Sequence, residues 1–212
     1  NEIGLFYVKL PNSNKGIITG IVSKEFLILK GDGKSTIRKL LEQNPRFELQ
    51  IKVLEKEFSQ IIDTILDENQ TINLVPYGNH ARGAKFIDGR TKFVDASHKI
   101  TPKMIDSFNE ICSQISGFHF GRMDIMFTNF LDLEEGKNFQ IVEINGAISE
   151  PTHIYDPNHS LLFGWKELTR HFHYMYLISK ANKNNGAKYL TFKEGVSEFK
   201  NHHKHYDRIL EF

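Results

Sequence analysis

Between Phe120 and Asn145 the chain reads FGRMDIMFTNFLDLEEGKNFQIVEIN, and two of its runs set ionisable groups on strand-like sequence. Gly121 to Phe127 carries Arg122 and Asp124, while Phe139 to Ile144, continued by Asn145, carries Glu143. Residues two apart on a β-strand point the same way, so Arg122 shares a face with Asp124, and Glu143 with Asn145. If the two strands pair, those faces merge. Asp124, Glu143 and Asn145 then offer oxygen ligands suited to a hard cation, Mg²⁺ above all, with Arg122 beside them as a fixed anion binder. The competing reading is a structural ion pair between Arg122 and a neighbouring carboxylate, which is what each residue taken singly most often forms. Convergence favours a site: Gly146 and a second polar run, Ser149-Glu150-Pro151-Thr152-His153, follow at once. Buried polar groups without partners cost ~1–3 kcal/mol each, so a ligand that satisfies them is the cheaper explanation.

Such strands need a sheet and helices to hold them. Ile3 to Leu10, Gly16 to Val22 and Glu25 to Lys30 are rich in β-branched and aromatic residues, which predicts three antiparallel strands. Ser35 is the expected N-cap of a helix through Ile37 and Leu41, and apolar spacing predicts helix, with a break, from Phe47 to Leu66. Ile72 to Val75 reads as a strand, and Ala84 to Ile87 with Thr91 to Val94 as a hairpin. Thr101 caps a helix that opens on Pro102 and runs towards Gly117. Ser160 to Lys180 is helical, Asn185-Gly186 turns the chain, and Lys193 to Leu210 forms a polar terminal helix. The class is α+β, a mainly antiparallel sheet with packed helices.

Three other features invite chemistry. Gly31-Asp32-Gly33-Lys34-Ser35-Thr36 looks like the end of a phosphate-binding loop, but position 28, where that motif needs glycine, is isoleucine. A tight turn explains it better. His171, His173, His202, His203 and His205 lack the spacing that aligns ligands on one helix face, and read as solvated surface. Asn79-His80-Ala81-Arg82-Gly83 is open both ways: Arg82 can grip phosphate or carboxylate and His80 can hold a substrate group, but loop solubility explains them about as well.

With 27 basic and 26 acidic residues, the net charge of +1 offers no general attraction for nucleic acid or anionic membrane, so any anion site must be local. One cysteine excludes an internal disulfide, and no apolar run approaches the ~20 residues that span a bilayer. These features fit a cytoplasmic protein. The chain opens on Asn1-Glu2-Ile3, already strand-like, which predicts a fragment with functional apparatus upstream.

Gly121-Arg122-Met123-Asp124 followed by Val142-Glu143-Ile144-Asn145-Gly146 resembles the metal-binding end of ATP-grasp enzymes, in particular carboxylate–amine ligases related to D-alanine–D-alanine ligase. The run from Ser149 to Pro157, the Gly31 to Thr36 stretch and His80 to Gly83 extend that resemblance over most of residues 1–195. It implies an ATP-grasp C-terminal subdomain over residues 1–195, with 196–212 as a helical extension. The implied activity is ATP-dependent ligation of a carboxylate to an amine, or to a thiol, through an acyl phosphate. Asp124, Glu143 and Asn145 would then hold Mg²⁺, with Mn²⁺ as the alternative, and Glu143, Asn145 and Arg82 would contact the nucleotide. Arg122 would stabilise the acyl phosphate and the tetrahedral intermediate, while His80, Ser149, Glu150 and His153 would face the substrates. The first ATP-grasp subdomain, with its phosphate-facing lysine, would lie before Asn1, with Glu2 a remnant of the adenosine-binding hinge. Partners on this reading are small-molecule carboxylates and amines, the upstream portion of the same protein and, as an option, a second copy. The alternatives are a nucleotide- or metabolite-binding module without catalysis, and a structural interaction domain.

Overall fold

A computed structural model describes residues 1–25, 28–43, 51–74 and 92–210. Strand β1 (Glu2–Val8) buries Ile3, Leu5 and Tyr7 on one face and Phe6 and Val8 on the other. A strand apolar on both sides belongs in the middle of a sheet. It pairs antiparallel with β2 (Ile17–Glu25) and with β6 (Phe120–Phe127). Strand β5 (Lys92–Asp95) flanks β2 and β7 (Phe139–Asn145) flanks β6, giving a five-stranded antiparallel sheet in the order β5-β2-β1-β6-β7.

One face of this sheet packs Ile21, Met123, Ile125 and Phe127 against Met104, Phe108 and Cys112 of α3 (Pro102–Ser113) and Leu133 of α4 (Phe130–Glu134). Thr101 caps α3 as expected, its side chain accepting from Met104 N at 3.1 Å, with Pro102 in the first turn. The other face is divided. Phe6, Val8 and Phe120 pack under Ile178 of the long helix α5 (Leu161–Asn184), capped by Ser160, whereas the strand ends beyond them carry charge. A final helix, α6 (Phe192–Leu210), runs unbroken across position 196.

Several expectations are corrected. The third predicted strand, β3 (Ile28–Lys30), leaves the main sheet and pairs with β4 (Thr71–Asn73) in a separate two-stranded sheet. Around it α1 (Ile37–Glu42) and α2 (Ile51–Glu57) build a second core of Leu29, Ile37, Leu41, Leu54 and Ile62. The predicted helix to Leu66 stops at Glu57, since the segment beyond it turns back to bridge Ile65 to Thr36. Thr36, not Ser35, caps α1, because Ser35 is already bonded to the Asp32 carboxylate through both its N–H (2.6 Å) and its hydroxyl (2.8 Å). Of the predicted hairpin, only the second strand falls among the described residues, as β5.

Candidate active site

Strands β6 and β7 pair antiparallel with Arg122 opposite Asn145 and Asp124 opposite Glu143. The register then slips between Asp124 and Ile125, so that Ile125 faces Ile141 and Phe127 faces Phe139. Val142 is the extra residue. Two residues apart on a regular strand, Ile141 and Glu143 would share a face; the bulge reverses the parity between them. Phe139 and Ile141 can therefore join the core while Glu143 and Asn145 stand on the opposite face with Arg122 and Asp124.

Asp124 is the centre of this cluster and is only 4% exposed. Its Oδ1 accepts from Arg122 Nε at 2.9 Å and its Oδ2 from Lys24 Nζ at 3.1 Å. Lys24, on β2, also donates to Glu2 on β1, so four adjacent strands contribute charge to one patch. In the amide orientation that satisfies both neighbours, Asn145 donates to Glu143 Oε1 (2.9 Å) and accepts from an Arg122 Nη (3.2 Å). Gly4 lies between, opposite Asp124, where a Cβ would come within 2.9 Å of Val22 Cγ1 and 3.1 Å of Arg122 Cδ. A side chain at position 4 would crowd the arginine. Three carboxylates, Glu2, Asp124 and Glu143, meet two cations; with Lys24 buried between Glu2 and Asp124, it is Arg122 that can meet an anion while Glu143 offers oxygen to a cation.

A divalent cation fits this set best when it arrives with an anion. Both Asp124 oxygens already accept from a cation, and Glu143 is the exposed carboxylate. Among the described residues no three His, Cys, Asp or Glu side chains converge as a metal site on their own, and the third ligand here would be the Asn145 carboxamide.

The run after β7 folds back over the same sheet face. Ser149 closes a turn on the Gly146 carbonyl with its N–H (2.9 Å) and hydroxyl (2.6 Å). Tyr155 donates to the Glu150 carboxylate. Its phenol is pushed up to about 12 by burial, by that hydrogen bond and by the Glu150 charge, with Arg122 acting in the opposite sense. The Glu150–Tyr155 pair thus lies within electrostatic reach of Arg122.

His153 is 3% exposed, seated directly over Gly20 of β2, with Nε2 3.4 Å from Glu167 Oε2 on α5. Buried there, it anchors the run against β2 and α5. His171 is likewise buried, not solvated: Nδ1–H donates to the Glu167 carbonyl (2.7 Å), leaving Nε2 to accept from the Thr19 hydroxyl (2.8 Å). Burial holds both imidazoles below their ordinary pKa, against the opposing pull of Glu167. Arg170 pairs with Glu167 (2.5 Å) and donates to the Thr19 carbonyl (2.8 Å). Asp156 accepts from Asp95 N–H (2.7 Å), and His159 meets the Asp95 carboxylate at 2.7 Å. Burial pushes Asp95 up, but hydrogen bonds from Ser97 and His159 outweigh it and hold the carboxyl low. His80 and Arg82 lie outside the described residues.

Sequence reasoning missed Lys24 and the Glu167–Arg170–His171 group. Lys24 lies in a Ser-Lys-Glu stretch that reads as a loop, and only the sheet order brings it beside Asp124. Glu167, Arg170 and His171 do have the three- and four-residue spacing of one helix face, a signal that was there to find.

No protein-family model matches the chain, and no curated protein matches it. Among solved structures it is similar to a bifunctional glutathione synthetase from Pasteurella multocida, with 14% sequence identity and a TM-score of 0.49. That match covers 81% of this chain and 24% of the synthetase, so the chain spans about a quarter of that protein's length.

Proposed function

We propose that the chain is the metal- and phosphate-handling part of an ATP-dependent carboxylate–amine or carboxylate–thiol ligase of ATP-grasp type. The observation that carries this reading is the bulged β6–β7 register, which brings Arg122, Asp124, Glu143 and Asn145 to one face beside Lys24. Asp124, Glu143 and Asn145 would hold Mg²⁺ or Mn²⁺, which supplies charge neutralisation of the phosphates. Arg122 binds and orients the phosphoryl oxygens and stabilises charge that develops on them, a role that needs position more than reactivity. Lys24 holds the Asp124 carboxylate in place beside Arg122. Glu150, with Tyr155, and Ser149 border the cluster where a carboxylate or amine would approach. Arg82 and His80 complete the proposal as phosphate and substrate contacts, with residues 1–195 as the ligase domain and an upstream portion supplying the rest of the nucleotide site.

One observation favours a second reading, the structural interaction domain: Arg122 does pair with Asp124, at 2.9 Å. Phosphate release by the intact protein, assayed with ATP, Mg²⁺ and panels of carboxylates, amines and thiols, separates the two. The ligase reading expects release that needs both an acid and a nucleophile, and a loss of roughly 100- to 1,000-fold in kcat for Arg122→Met. Calorimetric titration gives the independent arm. Nucleotide-analogue binding and Mg²⁺ dependence that survive Glu143→Gln unchanged would overturn the site assignment.

A further inference from the structure

Helix α5 is turned the wrong way for a surface helix. Its inner face is closed by Glu167, His171 and Ile178, yet its outer face carries Leu162, Trp165, Phe172 and Tyr176, each between 58% and 71% exposed. With Thr169 these residues recur at steps of three and four, the spacing of a helix-packing seam. Helix α6 has a matching seam: Phe192, Val196, Phe199 and Tyr206, with His203 in the remaining position, at steps of four and three. Every described residue of α6 other than Gly195 is exposed. Beside Gly195 lies an open groove of about 710 Å³ bounded by Leu190, Phe192, Val196 and Phe199, a hole suited to an aromatic knob.

From this we infer that α6 of one copy packs on the outer face of α5 of a second copy, closing a two-fold dimer by exchange of the C-terminal helix. Two features select that occupant. The first is the connector. Gly186 (φ +100°) closes the end of α5, with its own N–H on Lys183 O and the Ala187 N–H on Asn182 O, both at 3.0 Å. Thr191 and Glu194 form a reciprocal cap that starts α6, with bonds of 2.7 and 3.3 Å. Fixed at both ends, the connector leads α6 away and leaves the α5 seam of its own chain uncovered. The second is area: eight large apolar side chains burying roughly 100 Å² each give about 800 Å² per copy, the size of a standard stable interface. A two-fold axis uses both seams of both chains and leaves no open end.

Light scattering behind size exclusion, run on the intact protein at micromolar concentration, tests this. The expected mass is twice that of one chain, falling to one chain in Phe172→Asp and in Phe199→Asp, with the melting transition of the sheet domain retained. Disulfide trapping supplies the second arm. Thr169→Cys and Val196→Cys proteins, mixed and oxidised, should cross-link between copies; Cys112 is buried and does not compete. A monomeric wild-type protein overturns the proposal. So does a cross-link found only within a chain carrying both cysteines, which means α6 folds back on its own α5. A monomer that sediments with phosphatidylserine vesicles and loses that binding in Phe199→Asp also overturns it, in favour of a lipid surface.

Discussion

Replacing Gly20 by alanine should push His153 off the sheet, and the size of the effect can be worked out from the contact. A Cβ at position 20 would lie 2.2 Å from His153 Nδ1 and 2.3 Å from Cε1, more than 1 Å inside an ordinary 3.4 Å contact. The ring has nowhere close to retreat, because it is 3% exposed and faces Glu167 on its far side. Overpacking of this kind costs about 1–3 kcal/mol. Alanine also restricts the unfolded chain, which returns about 0.4–1 kcal/mol wherever the backbone accepts it. The net expectation is a loss of about 1–2 kcal/mol. In a His153→Ala background the clash is gone and only the favourable part remains, so the same substitution should become neutral or mildly stabilising. Urea unfolding of the four proteins in that cycle measures the coupling, expected near 2 kcal/mol. Additivity within about 0.5 kcal/mol would refute the account of His153 as a wedge seated on Gly20.

Three further outcomes follow from the same structure. Burial holds the pKa of His153 and His171 below the ordinary 6.5, so the unfolded chain takes up protons first as pH falls. Stability is full above about pH 6.5 and declines below it, by up to about 1.4 kcal/mol per pH unit for each histidine, and His171→Gln should flatten the slope between pH 7 and 5. The buried Cys112 thiol, pushed up to about 12 by burial, should resist thiol reagents at pH 8 in the native protein and react only on unfolding. Thr101→Ala removes the cap of α3 and should cost about 1 kcal/mol, a fall of about 2–4 °C in melting temperature by calorimetry.

Much of the main sheet could be read from residue patterns because its signals are local. The β-branched and aromatic run of β1 and the Thr101-Pro102 opening of α3 each depend on neighbours within a few residues. The convergence of Arg122 and Asp124 with Glu143 and Asn145 was readable as a hypothesis. What enforces it was not, because the bulge at Val142 arises from the competing demands of core and site along one strand. A count of alternating residues puts Ile141 and Glu143 on the same side; only the register with β6 reveals the reversal. His171 was misread for a related reason. Its helix is apolar on its outer face, so the usual inference that polar residues point to solvent fails there. Strand β3 went astray because three residues cannot state which neighbour they will pair with.

The Arg122–Asp124 ion pair looks at first like the bland explanation of the whole cluster, but its energetics argue otherwise. A buried pair regains little more than it loses in desolvation, and apolar side chains of similar volume often hold a fold as well or better. The same sheet face shows that solution a few residues away, where Phe6, Val8 and Phe120 pack under Ile178. Stability alone therefore gives no reason for the next positions on β1, β2, β6 and β7 to hold Glu2, Lys24, Arg122, Asp124 and Glu143. Nor does it require a bulge to bring Glu143 and Asn145 round to that side. A patch that keeps one carboxylate exposed and holds two cations against another is the arrangement that the proposed function, and not stability, asks of these strands.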